Sequence, residues 1–183
     1  MNKYLYTLLL SIAVVFVGRS QTTVFSEDFE NTGSITVTSS GIPGWALNNS
    51  FQAGGIYCDS SNCNNGGDSS VLTTPVFSTL GNSYVLLEFD HICKVEFFDA
   101  GYIEVSSDSG QTWVKAGSNE YLGNGQFNNI GEKFTSTSYT DWLPGNPSVP
   151  SNSWWKHELF DISALAANSQ YVAIRFILKD NNL

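Results

Sequence analysis

The feature that most constrains this fold is the alternation from Tyr84 to Val95. Val85, Leu87, Phe89, His91, Cys93 and Val95 fall on one side of an extended chain, and Leu86, Glu88, Asp90, Ile92, Lys94 and Glu96 on the other. A period of two over so long a run predicts a half-buried β-strand, because successive side chains of a strand point to opposite faces. A second strand, Gly101–Val105, runs into Ser106-Ser107-Asp108-Ser109-Gly110-Gln111-Thr112-Trp113. There Asp108 can bond the backbone of a tight turn, Gly110 can take positive φ, and Trp113 can fold back as a clamp. Strand, turn and return predict a self-locking hairpin, Gly101–Ser106 with Thr112–Lys115.

Further strands are expected at Thr23–Glu30, Ser70–Thr73, Ser153–Phe160 and Tyr171–Leu178. Gly41-Ile42-Pro43-Gly44 marks a turn, and the Gly, Asn, Ser and Asp of 48–69 read as loop. Residues 117–152 hold three of the five prolines and read as irregular. Asp161–Ala167 predicts one or two helical turns with Asp161 or Ser163 as cap. Many short strands with almost no helix predict an all-β fold, a two-sheet antiparallel β-sandwich.

Met1–Ser20 has the pattern of a cleavable export signal: Lys3, an apolar core from Leu5 to Val17, then small residues in Gly18-Arg19-Ser20. The apolar core is shorter than the roughly 20 residues of a membrane span. The expected domains are therefore a signal peptide, 1–20, and one β-sandwich domain, 21–183, of a secreted or cell-surface protein. The signal carries two of the 8 basic residues and none of the 17 acids, so the mature net charge is 6 − 17 = −11. Six scattered cations do not displace phosphate counterions, which argues against a nucleic-acid partner. Cys58 and Cys63 flank a polar loop and could close a disulfide in an oxidising compartment, whereas Cys93 sits in the strand pattern as a buried thiol.

In their order, Phe25–Asn31, Gly41–Trp45, Gly67–Pro75, Leu87–His91, Gly101–Trp113, Trp155–Ile162 and Ile174–Phe176 resemble the MAM-like jelly-roll domains of secreted bacterial proteins. The choice-of-anchor and cleaved-adhesin domains found beside metallopeptidases and adhesins of Bacteroidota-type surface proteins are similar in pattern. The resemblance implies a jelly roll and a structural calcium ion, for which Glu30 and Asp68, with Asp28 beside them, match the ligand positions. It also implies a final Gly-Trp-Tyr-Ile-Asp-Asp type strand. The chain reaches Asp180-Asn181-Asn182-Leu183 without that pattern, so the domain is expected to lack its last strand.

A hard cation takes about six to eight oxygens, and the 54–68 loop offers carbonyl and Asn oxygens beside the carboxylates. Tyr139, Trp142, Trp154 and Trp155 bracket a Pro- and Gly-rich loop. Trp142, with Tyr139, is the expected ligand-binding pair if the domain stacks sugars. A glycoside hydrolase or lyase would need paired carboxylates of the kind Glu88 and Glu104 supply. His91 with Cys93, or with Glu96 and Asp99, is a weaker constellation that no HExxH helix supports. The leading expectation is a non-catalytic binding or adhesion module, accessory to a larger chain, whose partner is an extracellular protein or glycan.

Overall fold

The computed structural model describes residues 21–30, 35–39, 44–50, 52–61, 69–96, 98–143 and 149–180. The export signal and the Gly41–Pro43 turn residues lie outside them. Among the described residues there are nine strands: β1 Thr36–Ser39, β2 Ala46–Asn48, β3 Cys58–Ser60, β4 Ser69–Thr73, β5 Leu86–His91, β6 Ala100–Ser106, β7 Val114–Lys115, β8 Lys156–Asp161 and β9 Ala173–Lys179. A single helical turn, α1 Ser163–Ala166, precedes β9, and the Asp161 carboxylate accepts the Ser163 N–H at its start.

All strand pairs in these sheets are antiparallel, in a five-stranded sheet of order β1-β4-β9-β6-β7 and two-stranded sheets β2-β3 and β5-β8. Alternation sets the faces. Ile103 and Val105 of β6 lie opposite Phe176 and Ile174 of β9, and all four point inward. The inward Phe89 of β5 meets Phe176 edge-on at 5.1 Å between ring centroids, which packs the β5-β8 pair face to face with the larger sheet. This is the expected all-β, antiparallel sandwich. These pairings establish the sandwich and not the jelly-roll path.

Three expectations are corrected. Residues 23–30 form no strand: Glu27 and Asp28 turn their carboxylates onto the Phe29 and Glu30 amides, and Phe29 takes φ 61°. Such local side-chain bonds compete with a ladder. β5 ends at His91 rather than Val95, because its partner β8 begins at Lys156, opposite His91, after the helical turn Asn152–Trp154. The third concerns the 48–69 loop, which contains β3, paired with β2.

The hairpin forms as its residues dictate. Asp108 Oδ1 accepts from the Ser106 hydroxyl (2.7 Å) and the Thr112 N–H (2.8 Å), and Oδ2 accepts from the Thr112 hydroxyl (2.5 Å). Gly110 sits at φ 83° and Trp113 Nε1 donates to its carbonyl at 3.0 Å. A side chain at Gly110 would both strain the backbone and meet the Trp113 ring. The Thr112 hydroxyl and amide, then the Ser106 hydroxyl, hold the Asp108 carboxyl down at about 2, from 3.8. A depressed folded-state pKa contributes stability that is complete above the unfolded value and is lost as pH falls through the folded one. The Thr112 amide resonance is therefore expected to titrate near pH 2, and to lose that titration in Asp108→Ala. A midpoint near 3.8 would contradict the locked turn.

Candidate functional site

The most concentrated chemistry in the described residues is a network around Glu158. In β8, Glu158 shares the inward parity of Phe160, so a carboxylate enters the space between the sheets, where its exposure is 0%. Burying an ionised carboxylate is costly unless donors surround it. Three do. Tyr121 Oη donates to Oε2 at 2.7 Å, Tyr139 Oη donates to Oε1 at 2.8 Å, and His91, in its Nε2–H form, reaches Oε1 at 3.1 Å. Burial first, then the bond to Glu158 and its negative charge, push both tyrosine hydroxyls well above the usual phenol range.

Each donor comes from a different part of the chain. His91 is the last residue of β5, placed inward by the same alternation as Phe89, and its ring sits 4.4 Å from Phe134 and 5.0 Å from Trp142. Tyr121 lies in a stretch that hydrogen-bonds to the far edge of β8, Leu122 N–H to Leu159 O and Asp161 N–H to Glu120 O. Tyr121 Oη in turn accepts the Gly125 N–H at 2.7 Å. Tyr139 stacks edge-on against Trp142 at 4.6 Å and lies under the Lys156 ammonium, which pairs with Asp141 at 2.6 Å. A methyl group at Gly123 would overlap Glu158 Oε2 and lie 2.6 Å from Tyr121 Oη, so glycine is what lets the backbone pass this close. With no solvent access and three donors already on its oxygens, Glu158 clasps Tyr121 and Tyr139, and the chain beside each, onto β5-β8.

The residues singled out from sequence fall elsewhere or change role. Trp142, expected with Tyr139 as the ligand-binding pair, is fully buried, and its Nε1 donates to the Trp154 carbonyl at 3.1 Å. Its ring presents no face to a sugar, because Tyr139 and His91 pack against it. Tyr139 is half-buried and committed to Glu158. Glu88 and Glu104 are not brought together: Glu88 is exposed on the outer face of β5, and Glu104 lies on the outer face of β6, where Arg175 Nε donates to it at 2.6 Å. His91 turns to Glu158 rather than to Glu96 or Asp99, and burial pushes the Cys93 thiol up to about 12, leaving little thiolate for nucleophilic work.

At the amino-terminal end, Glu30 Oε1 accepts the N–H groups of Ile56 (2.5 Å) and Tyr57 (2.9 Å), joining that segment directly to the loop before β3. Asp28 Oδ1 accepts the Glu30 N–H at 3.1 Å. Each carboxylate keeps its second oxygen outside these bonds, a donor type that suits a hard cation. Asp68, the third expected ligand, and Cys63, the expected partner of buried Cys58, lie outside the described residues.

The Glu158 network was missed by sequence reading, although a signal existed. Glu158 is a charged residue on the parity shared with Phe160, as His91 is a polar one on the parity of Leu87 and Phe89, and two such residues on strands of one sheet are candidates to meet. Among the described residues no helix is long and apolar enough to cross a membrane. Comparison with protein-family models, with curated proteins and with solved structures finds no match.

Proposed function

We propose that the chain is a non-catalytic binding or adhesion module of a secreted or surface protein, accessory to a larger chain, with an extracellular protein or glycan as its partner. The observation that supports this reading is the use to which the chemistry-bearing side chains are put. Glu158, His91, Tyr121 and Tyr139 bond one another in the core, Glu104 bonds Arg175, and Asp108 bonds its own turn. These bonds fix long irregular segments on a rigid sandwich, the arrangement in which loops carry recognition. A structural calcium ion on Asp28, Glu30 and Asp68 belongs to the same proposal, tying the amino-terminal segment to the neighbouring loop more firmly than the Glu30 bonds alone.

The test has two arms. Immobilised mature protein is screened against glycans and extracellular proteins, and assayed for polysaccharide cleavage; retention without turnover is expected. Turnover abolished by Glu88→Ala or Glu104→Ala would overturn the reading. In parallel, thermal unfolding is followed with excess calcium and with chelator. A calcium-dependent rise in midpoint is expected through binding linkage, and an unchanged midpoint would remove the ion.

A further inference from the structure

We infer that the exposed edge of β5 is a docking site for an extended, basic segment of another protein, which adds as a strand beside Leu86, Glu88 and Asp90. The register of β5-β8 fixes the geometry. Leu159 and Asp161 of β8 direct their backbone groups away from β5, to Leu122 and Glu120. Their intervening residue Phe160, and Glu158 and Lys156, therefore exchange hydrogen bonds with Leu87, Phe89 and His91. Val85 continues the pattern, its carbonyl accepting the Ile162 N–H. Leu86, Glu88 and Asp90 consequently turn their N–H and C=O groups outward, and among the described residues these groups make no hydrogen bond.

The two edges of this small sheet differ. That of β8 is covered by residues 120–122, whereas among the described residues none hydrogen-bonds along that of β5 at Leu86, Glu88 or Asp90. An uncovered row of donors and acceptors is a template for pairing. The inward residues beside it, Leu87 and Phe89, remain only half-buried although they face the larger sheet. An added strand would cover them with its own apolar residues.

Charge chooses the occupant. Glu88 and Asp90 are exposed on the outer face, Asp90 3.1 Å from His157 Nδ1. A second copy pairing antiparallel about Glu88 would set Glu88 against Glu88, in a chain of net charge −9. Like charges directly opposite destabilise a strand pair, and opposite charges stabilise it. The segment that fits alternates apolar residues with Lys or Arg. This inference rests on the binding-module reading for its purpose; its geometry stands apart.

The probe is a blocked peptide of about eight residues alternating valine and lysine, with a valine–glutamate peptide as counterpart, at low ionic strength. Hydrogen exchange is read at the Leu86, Glu88 and Asp90 amides of the whole chain. The lysine peptide at about ten times its Kd is expected to slow them about tenfold, and the glutamate peptide to leave them unchanged. Glu88→Pro removes an outward N–H without touching the bonds to β8, and is expected to abolish the effect at Leu86 and Asp90. The double variant E88K/D90K is expected to exchange the two peptides' behaviour. Equal effects of both peptides, no effect of either, or amides already slow without peptide would overturn the inference. If the lysine peptide fails while the mature protein retains a ligand in the screen above, the edge is wrong and the module reading survives. Protection with no ligand retained would sink the module reading and keep the edge.

Discussion

Glu158→Ala is expected to lower the unfolding free energy by about 3–5 kcal/mol in urea denaturation, the cost typical of removing one partner from a buried charged network. The alanine leaves the Tyr121 and Tyr139 hydroxyls and the His91 ring nitrogen facing the space of a lost carboxylate, next to Phe134 and Trp142. Unmade bonds in a dry interior cost roughly 1–3 kcal/mol each when nothing replaces them. Glu158→Gln retains one acceptor oxygen and is expected to cost about 1–2 kcal/mol, the difference between charged and neutral acceptors. Against a total stability of about 5–15 kcal/mol the alanine variant approaches the limit of folding. Loss of under about 0.5 kcal/mol, the range for an ordinary surface position, would mean that Glu158 is not the clasp.

Trp142→Ala is expected to destabilise by about 3–5 kcal/mol, as large aromatic truncations in a core do. The ring fills the space between Tyr139 and His91, and its N–H satisfies the Trp154 carbonyl. This outcome separates two accounts of the residue. A solvent-facing sugar platform would lose ligand retention at almost no cost in stability. A core tryptophan loses stability whatever ligand is offered, and Trp142→Phe, which keeps part of the volume, is expected to fall between.

What could be read from the sequence follows the range of the interactions. The Asp108, Gly110 and Trp113 roles in the turn were legible because the side-chain bonds that lock it run between residues a few positions apart, whereas its bonds to Ser169 and Tyr171 were not. The inward parity of Leu87, Phe89 and His91 was legible for the same reason, since alternation is local. The end of β5 was not, because it is set by where β8 begins, more than sixty residues on. Composition reads 117–152 as irregular, and its described residues form no strand, but it does not record that Phe127, Phe134 and Trp142 are among the most buried rings of the described residues. Their burial comes from the aromatic cluster with Tyr121 and Phe160 and from the Glu158 clasp, neither of which a hydropathy pattern records. Thr23–Glu30 failed in the opposite direction: strand-like composition was overruled by Glu27 and Asp28 bonding the chain two residues ahead.

The central claim is that a buried carboxylate pins an irregular segment to a small sheet, and native-state hydrogen exchange of Glu158→Gln tests it most directly. The account predicts faster exchange at Leu122, Gly125, Gln126 and Trp142, whose amides are bonded within or beside the clasped segment, with Tyr102 and Ile177, a facing pair in the β6-β9 ladder, left near their original rates. Uniform acceleration across both groups, or none in the 121–142 stretch, would contradict it.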